Sequence, residues 1–174
     1  MKIQSKYLKS AVLGASDGIV TTFAVVAGVV GAGLSTKIIL ILGIANMVAD
    51  GLSMAIGDYL GERSSHKMEL HQGIKSEACC LWKTSMITFV AFILAGILPL
   101  LPYVAMLFNF EVSPDSQFMM SIIATGLAMF FVGSLRTVVT KGKWIINGLE
   151  MLAVGSIAAV VAYSLGSFVE GFLS

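Results

Sequence analysis

The sequence predicts an all-α polytopic membrane protein with five transmembrane helices. Of its 174 residues, 57% are hydrophobic and 12% are charged, and its mean hydropathy is +0.91. Soluble domains carry about 25% charged residues, so this composition is typical of a chain that lies mostly in lipid. Five apolar stretches approach or exceed the ~20 residues that a helix needs to cross a bilayer. We therefore expect residues 1–174 to form one transmembrane domain without a separate soluble domain.

The five helices are placed by their apolar runs and by the turn residues between them. Gly33 and Ser35 separate the first two helices, the stretch around Pro114 forms a loop, and "TKGKW" makes the last connection. Pro99 and Pro102 lie inside the third apolar run and should kink that helix. The predicted spans are 11–33, 36–60, 84–108, 117–138 and 145–171, with a short cytosolic segment at 61–83.

The orientation follows from the distribution of lysine and arginine. Ten of the 11 basic residues lie in the N-terminal stretch, in the segment 61–83, or within or next to the loop 139–144. Lys37 is the exception. Cytosolic loops carry the excess of basic residues, so the N-terminus is predicted to be cytosolic and the C-terminus to lie on the opposite side. The first apolar run is too long for a cleaved signal peptide. Cys79 and Cys80 fall in the cytosolic segment, where thiols are normally reduced, and no disulfide framework is expected.

Apart from Glu170 at the very end of the fifth span, four carboxylates lie inside the predicted spans. An ionised group at the bilayer centre costs about 2.5 to 3.5 kcal/mol or more, so such groups normally face a bundle interior or a water path. Asp17 and Asp50 have no lysine or arginine at their depth, so each is either protonated or available for a cation. Glu150 can instead pair with Arg136 or with nearby lysines. Asp58 is close enough to the end of its span to be a solvated helix end.

Candidate metal ligands repeat along the second helix. Four side chains with oxygen or sulfur atoms recur at i, i+4, i+8 and i+12 along one drifting stripe, namely Asn46, Asp50, Met54 and Asp58. With a rise of about 1.5 Å per residue, Asp17 and Met54 are predicted at one depth, Glu150 at a similar depth, and Asp50 one turn deeper. Oxygen ligands suit Mn(II) and Mg(II), and a thioether shifts the preference toward softer or borderline ions such as Fe(II). Alternatively, Asn46 joins helices and Met54 fills the core.

A weaker candidate site follows the second helix. Glu62, His66 and Glu69 fall on one helical face at i, i+4 and i+7, a spacing that suits a divalent ion. The segment is predicted to begin as an extension of the second helix. A charge-rich helix at the membrane surface explains the same residues without a metal.

Small residues indicate where helices approach each other. Gly14 and Gly18 form a GxxxG pair that flanks Asp17, and such pairs allow close helix contacts. The pair is explained by packing within one chain or, alternatively, by a homodimer seam that carries Asp17. Five helices make a thin bundle for enclosing a pathway, which favours a dimer.

Three stretches of the sequence resemble the vacuolar iron transporter family. They are "GASDGIVTTFAVVAGVVGAG" at 14–33, "ILGIANMVADGLSMAIGDYLGERS" at 41–64 and "GLEMLAVGSIAAVVAYSLG" at 148–166. The likeness spans all five predicted helices. It implies a dimeric five-helix protein that moves Fe(II), and often Mn(II), out of the cytosol in exchange for protons.

Carried over residue by residue, the resemblance assigns the family's pathway aspartate to Asp17 and its pathway methionine to Met54. Plant members have a glutamate at the position of Asn46, so Asp50 becomes the candidate for the role of that carboxylate. Those members also carry a long cytosolic metal-binding domain between the second and third spans, whereas only the residues 61–83 are available here. The chain therefore resembles a short form that lacks this domain.

Together these patterns predict an exporter of Fe(II) or Mn(II) that works by proton antiport, with no permanently bound cofactor. The expected partners are a second copy of the chain, metal ions, protons and the lipid bilayer, with no nucleic acid. The expected location is the inner membrane of a bacterium or a vacuole-like membrane of a eukaryote. Two alternatives stay open: an exporter of small organic cations and a non-transporting membrane scaffold. No nucleophile–base pair, nucleotide loop or cofactor motif is present, so an enzyme is not predicted.

Overall fold

The computed structural model describes residues 2–73, 81–105, 113–140 and 142–173, and these ranges contain helices and no strand. The helices are α1 (Lys2–Gly31), α2 (Thr36–His71), α3 (Leu81–Gly96), a 3₁₀ turn (Leu98–Leu100), α4 (Leu101–Val104), α5 (Pro114–Leu135), α6 (Thr137–Thr140) and α7 (Trp144–Leu173).

Five helical segments are long and apolar enough to cross a membrane, which confirms the predicted fold class. The third of them combines α3, the 3₁₀ turn and α4. The chain is thus an integral membrane protein. The five segments are Lys6–Gly31, Thr36–His71, Trp82–Val104, Pro114–Leu135 and Trp144–Leu173.

The first two helices extend further than their apolar runs. α1 begins at Lys2 rather than near residue 11, and α2 continues to His71 rather than ending near residue 60. Lysine, glutamate, leucine and methionine are good helix formers, so the helices continue after the apolar pattern stops. α2 ends where Gly73 takes a left-handed conformation with φ of 71°. Cys79 and Cys80 lie outside the described residues.

The third span is broken, as its prolines predict. α3 ends at Gly96, and the chain passes through the 3₁₀ turn before α4 begins. Pro99 and Pro102 have no N–H to donate to a preceding carbonyl, so a continuous helix would lose hydrogen bonds there. The hydroxyl of Ser121 on α5 donates to the carbonyl oxygen of Pro99 at 2.7 Å, which satisfies one acceptor at the break.

α1 is the central helix of the bundle. It packs against α2, α3, α5 and α7, while α2 also packs on α3 and α5 also packs on α7. α1 therefore contacts the pair α2 and α3 and the pair α5 and α7. Its position sets where Asp17 lies relative to the candidate ligands of α2.

Glycines bring the backbone of α1 directly against its neighbours. A Cβ atom on Gly14 would collide with the carbonyl oxygen of Thr88, and one on Gly18 would collide with the carbonyl oxygen of Phe92. The GxxxG pair of the sequence therefore packs α1 onto α3 within one chain. Near the other end of α1, a Cβ on Gly31 would collide with the carbonyl oxygen of Tyr163 on α7.

Large apolar side chains cover the outer sides of the long helices. In a soluble protein such a surface would be unusually extensive, whereas in a bilayer it contacts acyl chains. Typical examples with more than half of the side chain exposed are Ile41, Ile56, Phe131, Ile157 and Phe172.

Candidate cation site between the first and second helices

Asp17 lies half-buried on α1, next to the glycines that hold this helix against α3. Its backbone carbonyl accepts a hydrogen bond from the hydroxyl of Thr21 at 2.8 Å. Among the described residues, its carboxylate has no hydrogen bond or ion pair. An intramembrane carboxylate without a cationic partner is available for a proton or a metal ion.

Asp50 lies at the same height as Asp17. Asp17 is 14 residues before Gly31, where α1 ends, and Asp50 is 14 residues after Thr36, where α2 begins. Each is therefore about 21 Å from the shared turn along its helix. Because α1 packs against α2, two ionised carboxylates at this height would repel each other, and a divalent cation between them would remove this repulsion.

The predicted depth of Asp50 was wrong. The sequence placed Met54 level with Asp17 and Asp50 one turn deeper, because depth was measured from cytosolic helix ends that the apolar pattern locates poorly. The tight turn between α1 and α2 sets the register instead, and it aligns Asp50 with Asp17. Met54 lies one turn closer to the predicted cytosolic end of α2, where it is also half-buried.

Asn46 orients the carboxylate of Asp50. Its side-chain Nδ2 donates a hydrogen bond of 2.7 Å to Oδ2 of Asp50. This contact spans one helical turn and holds one oxygen in place, so that Oδ1 and the remaining lone pairs of Oδ2 can accept another partner. The structure therefore joins the amide and the carboxylate of the predicted stripe directly.

Asp58 is not part of the stripe and is not a solvated helix end. Each step of four residues rotates the side-chain direction by about 40° on an α-helix, so three steps from Asn46 turn Asp58 by about 120°. It faces α3, where its Oδ2 lies 3.0 Å from the hydroxyl of Thr88. Thr88 is 0% exposed. The sequence analysis missed Thr88, although its hydroxyl stands out in the apolar run of the third span.

Glu150 lies beside a basic residue. Its Oε2 is 3.8 Å from Nη1 of Arg136, and 57% of its side chain is exposed. The structure thus brings Glu150 to the junction of α5 and α7, as the ion-pair alternative predicted. Its contribution to a cation site stays a prediction.

One of the three candidates on the extension of α2 makes a contact between helices. Nζ of Lys6 on α1 lies 3.0 Å from Oε2 of Glu62 on α2, and this ion pair joins the extended ends of the two helices. His66 and Glu69 also have interaction partners. In the part of the chain that the structure describes, no three His, Cys, Asp or Glu side chains are grouped closely enough to hold a metal ion. The role of Glu62, His66 and Glu69 in metal binding stays a prediction.

Small residues form an exposed stripe on α2 beside the half-buried ligands. The stripe contains Ala45, Ala49, Ser53 and Gly57, which follow each other at intervals of four residues. No atom of the described residues lies within 4 Å of the position that a Cβ on Gly57 would occupy. Unlike the buried glycines of α1, the four residues of this stripe are exposed in one chain.

Comparison with known proteins relates the whole bundle to one family. A model of the VIT family matches residues 8–79 and 65–167. The chain is 25% identical over 230 aligned positions to the "Vacuolar iron transporter" of Plasmodium berghei, with 94% of this chain and 82% of that protein covered. It is 28% identical over 168 positions to "Vacuolar iron transporter homolog 3" of Arabidopsis thaliana, with 92% and 82% covered.

The lengths of these alignments differ. The alignment with the Plasmodium protein has more positions, 230, than this chain has residues, 174, so that relative carries residues that face gaps in this chain. "Vacuolar iron transporter 1" of Arabidopsis thaliana likewise aligns over 220 positions at 24% identity, with 94% of this chain and 86% of that protein covered. The shorter alignment with the Arabidopsis homolog 3 has no such excess. These lengths agree with the predicted short form.

Proposed function

The chain belongs to the VIT family, and on this premise we propose that it exports Fe(II) or Mn(II) from the cytosol in exchange for protons. Its relatives carry the name of transporters, and the chain is accordingly a transporter and not an enzyme. Relatives named as vacuolar support a vacuole-like membrane if the host is a eukaryote. If the host is a bacterium, the expected location is the inner membrane.

The observation that carries the proposal is the pair of Asp17 and Asp50. Two carboxylates lie at one height in adjacent membrane helices, and neither has an ion pair with a described residue. Two ionised carboxylates there are costly, and a divalent cation compensates both charges at once. With the amide of Asn46 and the thioether of Met54, the donor set suits Mn(II) and Fe(II) better than Cu(II) or Zn(II).

Exchange with protons follows from the same carboxylates. A carboxylate binds a metal ion only in its ionised form, so metal binding releases any proton that it holds. The protonated forms are neutral and can face a dry part of the pathway at lower cost. The alternation of metal-bound and protonated forms is therefore a mechanism of antiport that needs no further cofactor.

A second copy of the chain completes the site in this proposal. Asp17, Asn46, Asp50 and Met54 are all only half-buried in one chain, which would leave polar groups facing lipid at membrane depth. The neighbouring small-residue stripe on α2 allows another helix to approach closely. A two-fold dimer across this face would bring two Asp17–Asp50 pairs together and cover them. Replacement of Gly57 by Leu should then reduce dimer formation in detergent without unfolding the chain.

The proposed function is tested in proteoliposomes that contain a metal-sensitive dye and a pH-sensitive dye. Addition of Fe(II) or Mn(II) should produce metal movement and an opposite proton movement, and a pH gradient should drive the metal. Metal movement that never responds to pH would exclude antiport. Absence of any metal movement, with transport of an organic cation instead, would exclude the metal as substrate.

Crystals soaked with Fe(II) or Mn(II) give an independent test of the site. We expect an anomalous peak among Asp17, Asp50 and Met54. A peak only at Glu62, His66 and Glu69 would instead assign metal binding to the extension of α2.

A further inference from the structure

A second carboxylate environment lies closer to the predicted cytosolic end of the bundle. Asp58 is two turns beyond Asp50 on α2, about 12 Å along the helix axis. It faces α3, whereas Asp50 and Asn46 lie on a different side of α2. The neighbouring part of α3 is unusually rich in buried hydroxyl groups for a membrane helix. They belong to Thr84, Ser85 and Thr88.

Thr88 offers Asp58 a hydrogen bond that can reverse its direction. The hydroxyl oxygen of Thr88 lies 3.0 Å from Oδ2 of Asp58 and 3.1 Å from the backbone carbonyl oxygen of Thr84. A hydroxyl group has one proton and two acceptor lone pairs, so it donates to one of these oxygens at a time and can also accept. The two acceptors are at nearly equal distances.

This arrangement satisfies Asp58 in both of its protonation states. When the carboxylate is ionised, the hydroxyl of Thr88 donates to it. When Asp58 takes up a proton, its new O–H donates to the oxygen of Thr88, whose own proton turns to the carbonyl of Thr84. One proton is bound or released, no other bond forms or breaks, and only a hydroxyl rotates. A site of this kind avoids an unsatisfied buried polar group in either state.

The charged groups around Asp58 leave its carboxylate unpaired. On α1, Lys6 is bound to Glu62 and Lys9 is exposed; on α3, the Nζ of Lys83 lies 6.0 Å from the ring centre of Trp82. No described lysine or arginine forms an ion pair with Asp58. A permanent ion pair would hold the carboxylate in its ionised form, so its absence among these residues suits reversible protonation.

We propose that Asp58, together with the hydroxyl of Thr88 and the carbonyl of Thr84, is a proton-binding site of the antiport that is separate from the cation site. The inference rests on the proposed function. Asp58 lies between the carboxylate pair and the cytosol in the predicted orientation, where protons must leave when metal is exported. A separate proton site means that proton exchange does not depend only on the carboxylates that hold the metal.

The experiment measures proton and metal movement in the same proteoliposomes for the wild-type protein and for Asp58→Asn. Asparagine can accept or donate the hydrogen bond with the hydroxyl of Thr88 but cannot exchange a proton. We expect metal to move down its own gradient while the proton movement per metal ion is lost, so that a pH gradient no longer drives transport. Thermal unfolding of each purified protein shows whether the variant is folded.

A second pair of variants tests the hydroxyl. Thr88→Val removes it at nearly constant volume and should weaken the response of metal transport to pH, whereas Thr88→Ser should keep that response. Thr125→Val is the matched control, because Thr125 is similarly buried and its hydroxyl has no hydrogen-bond partner among the described residues. It should leave the coupling unchanged.

The outcomes separate this inference from the function on which it rests. A wild-type protein that moves metal without protons would overturn the antiport and the proton site together. Coupled wild-type transport with equally coupled Asp58→Asn would overturn the proton site alone. A folded Asp58→Asn that moves no metal would also overturn it, because Asp58 would then act on the metal. If Asp58→Asn does not fold, equal pH responses of Thr88→Val and Thr88→Ser would reject the inference.

Discussion

The two sides of α1 differ in how completely they are packed. Toward α3, Gly14 and Gly18 place backbone against backbone, and no room is left for a methyl group. Toward α2, Asp17 is half-buried at the height of Asp50, and its carboxylate has no hydrogen bond within the described residues. The close packing against α3 holds α1 in place, while the side toward α2 keeps the carboxylate of Asp17 available for a ligand. The contrast teaches that tight packing of small residues can support a polar site that is energetically unfavourable when empty.

Replacement of Gly18 by Ala should have the largest effect, because it disrupts the packing of α1 against α3. The new methyl would collide with the carbonyl oxygen of Phe92, and a backbone atom cannot move aside as a side chain can. Overpacking of this kind costs about 1–3 kcal/mol. We expect a lower thermal unfolding temperature in detergent and a loss of transport that follows the loss of folded protein.

Gly126→Ala on α5 is the matched control for this substitution. The atom nearest to its Cβ position is Cδ2 of Leu152 at 3.8 Å, which is an ordinary van der Waals contact, and alanine is the better helix former. Its unfolding temperature should be unchanged or higher. Equal destabilisation by both substitutions would show that the contact with Phe92 is not the cause.

Asp17→Asn changes the candidate cation site but not the packing of α1 against α3. It should nearly abolish transport without loss of stability. The amide keeps the shape of the carboxylate but removes its charge and its exchangeable proton. Stability should stay equal or rise, because a costly intramembrane charge is gone. Metal uptake into proteoliposomes and thermal unfolding are measured side by side. Normal uptake would remove Asp17 from the mechanism, and a variant that merely unfolds would give it a structural role.

Asp17→Glu sharpens this test because it keeps the charge. The extra methylene moves the oxygens by about one C–C bond length in a site bordered by close-packed glycines. At most partial activity is therefore expected from this variant, and full activity would indicate a loose site.

Met54→Leu should have an intermediate effect, since it removes one ligand atom and keeps the apolar volume. Such a swap usually costs less than about 1.5 kcal/mol in stability. Fe(II) uptake should fall more than Mn(II) uptake, because the softer ion gains more from a thioether. Equal uptake of both metals before and after the substitution would favour a site that does not coordinate through sulfur, as an exporter of organic cations would have.

Neutralisation of the extension of α2 should have the smallest effect. The variant carries Glu62→Gln, His66→Gln and Glu69→Gln together. The exposed ion pair with Lys6 contributes only about 0.2–1 kcal/mol, and the carboxylate pair in the membrane remains, so a modest change in apparent metal affinity is expected. Uptake is measured over a range of metal concentrations. Complete loss of transport in a folded variant would assign an essential role to this segment.

Several features of the site follow from local sequence. A carboxylate in an apolar run is unusual wherever the helix packs, so Asp17 and Asp50 were identified from composition alone. The spacing of four residues between Asn46 and Asp50 predicts that they meet, and their hydrogen bond of 2.7 Å confirms it. The break at Pro99 also follows locally, because proline lacks the donor that a helix requires at every residue.

The sequence by itself determined the five spans, the break in the third and the identity of the intramembrane carboxylates, because hydrophobicity, helical period and proline chemistry act within a segment. Only the tertiary structure decided that Asp50 is level with Asp17 and that Asp58 turns to Thr88. It also decided that Gly14 and Gly18 face α3. The height and rotation of one helix relative to another depend on contacts between residues distant in sequence, and no pattern within a single segment contains them.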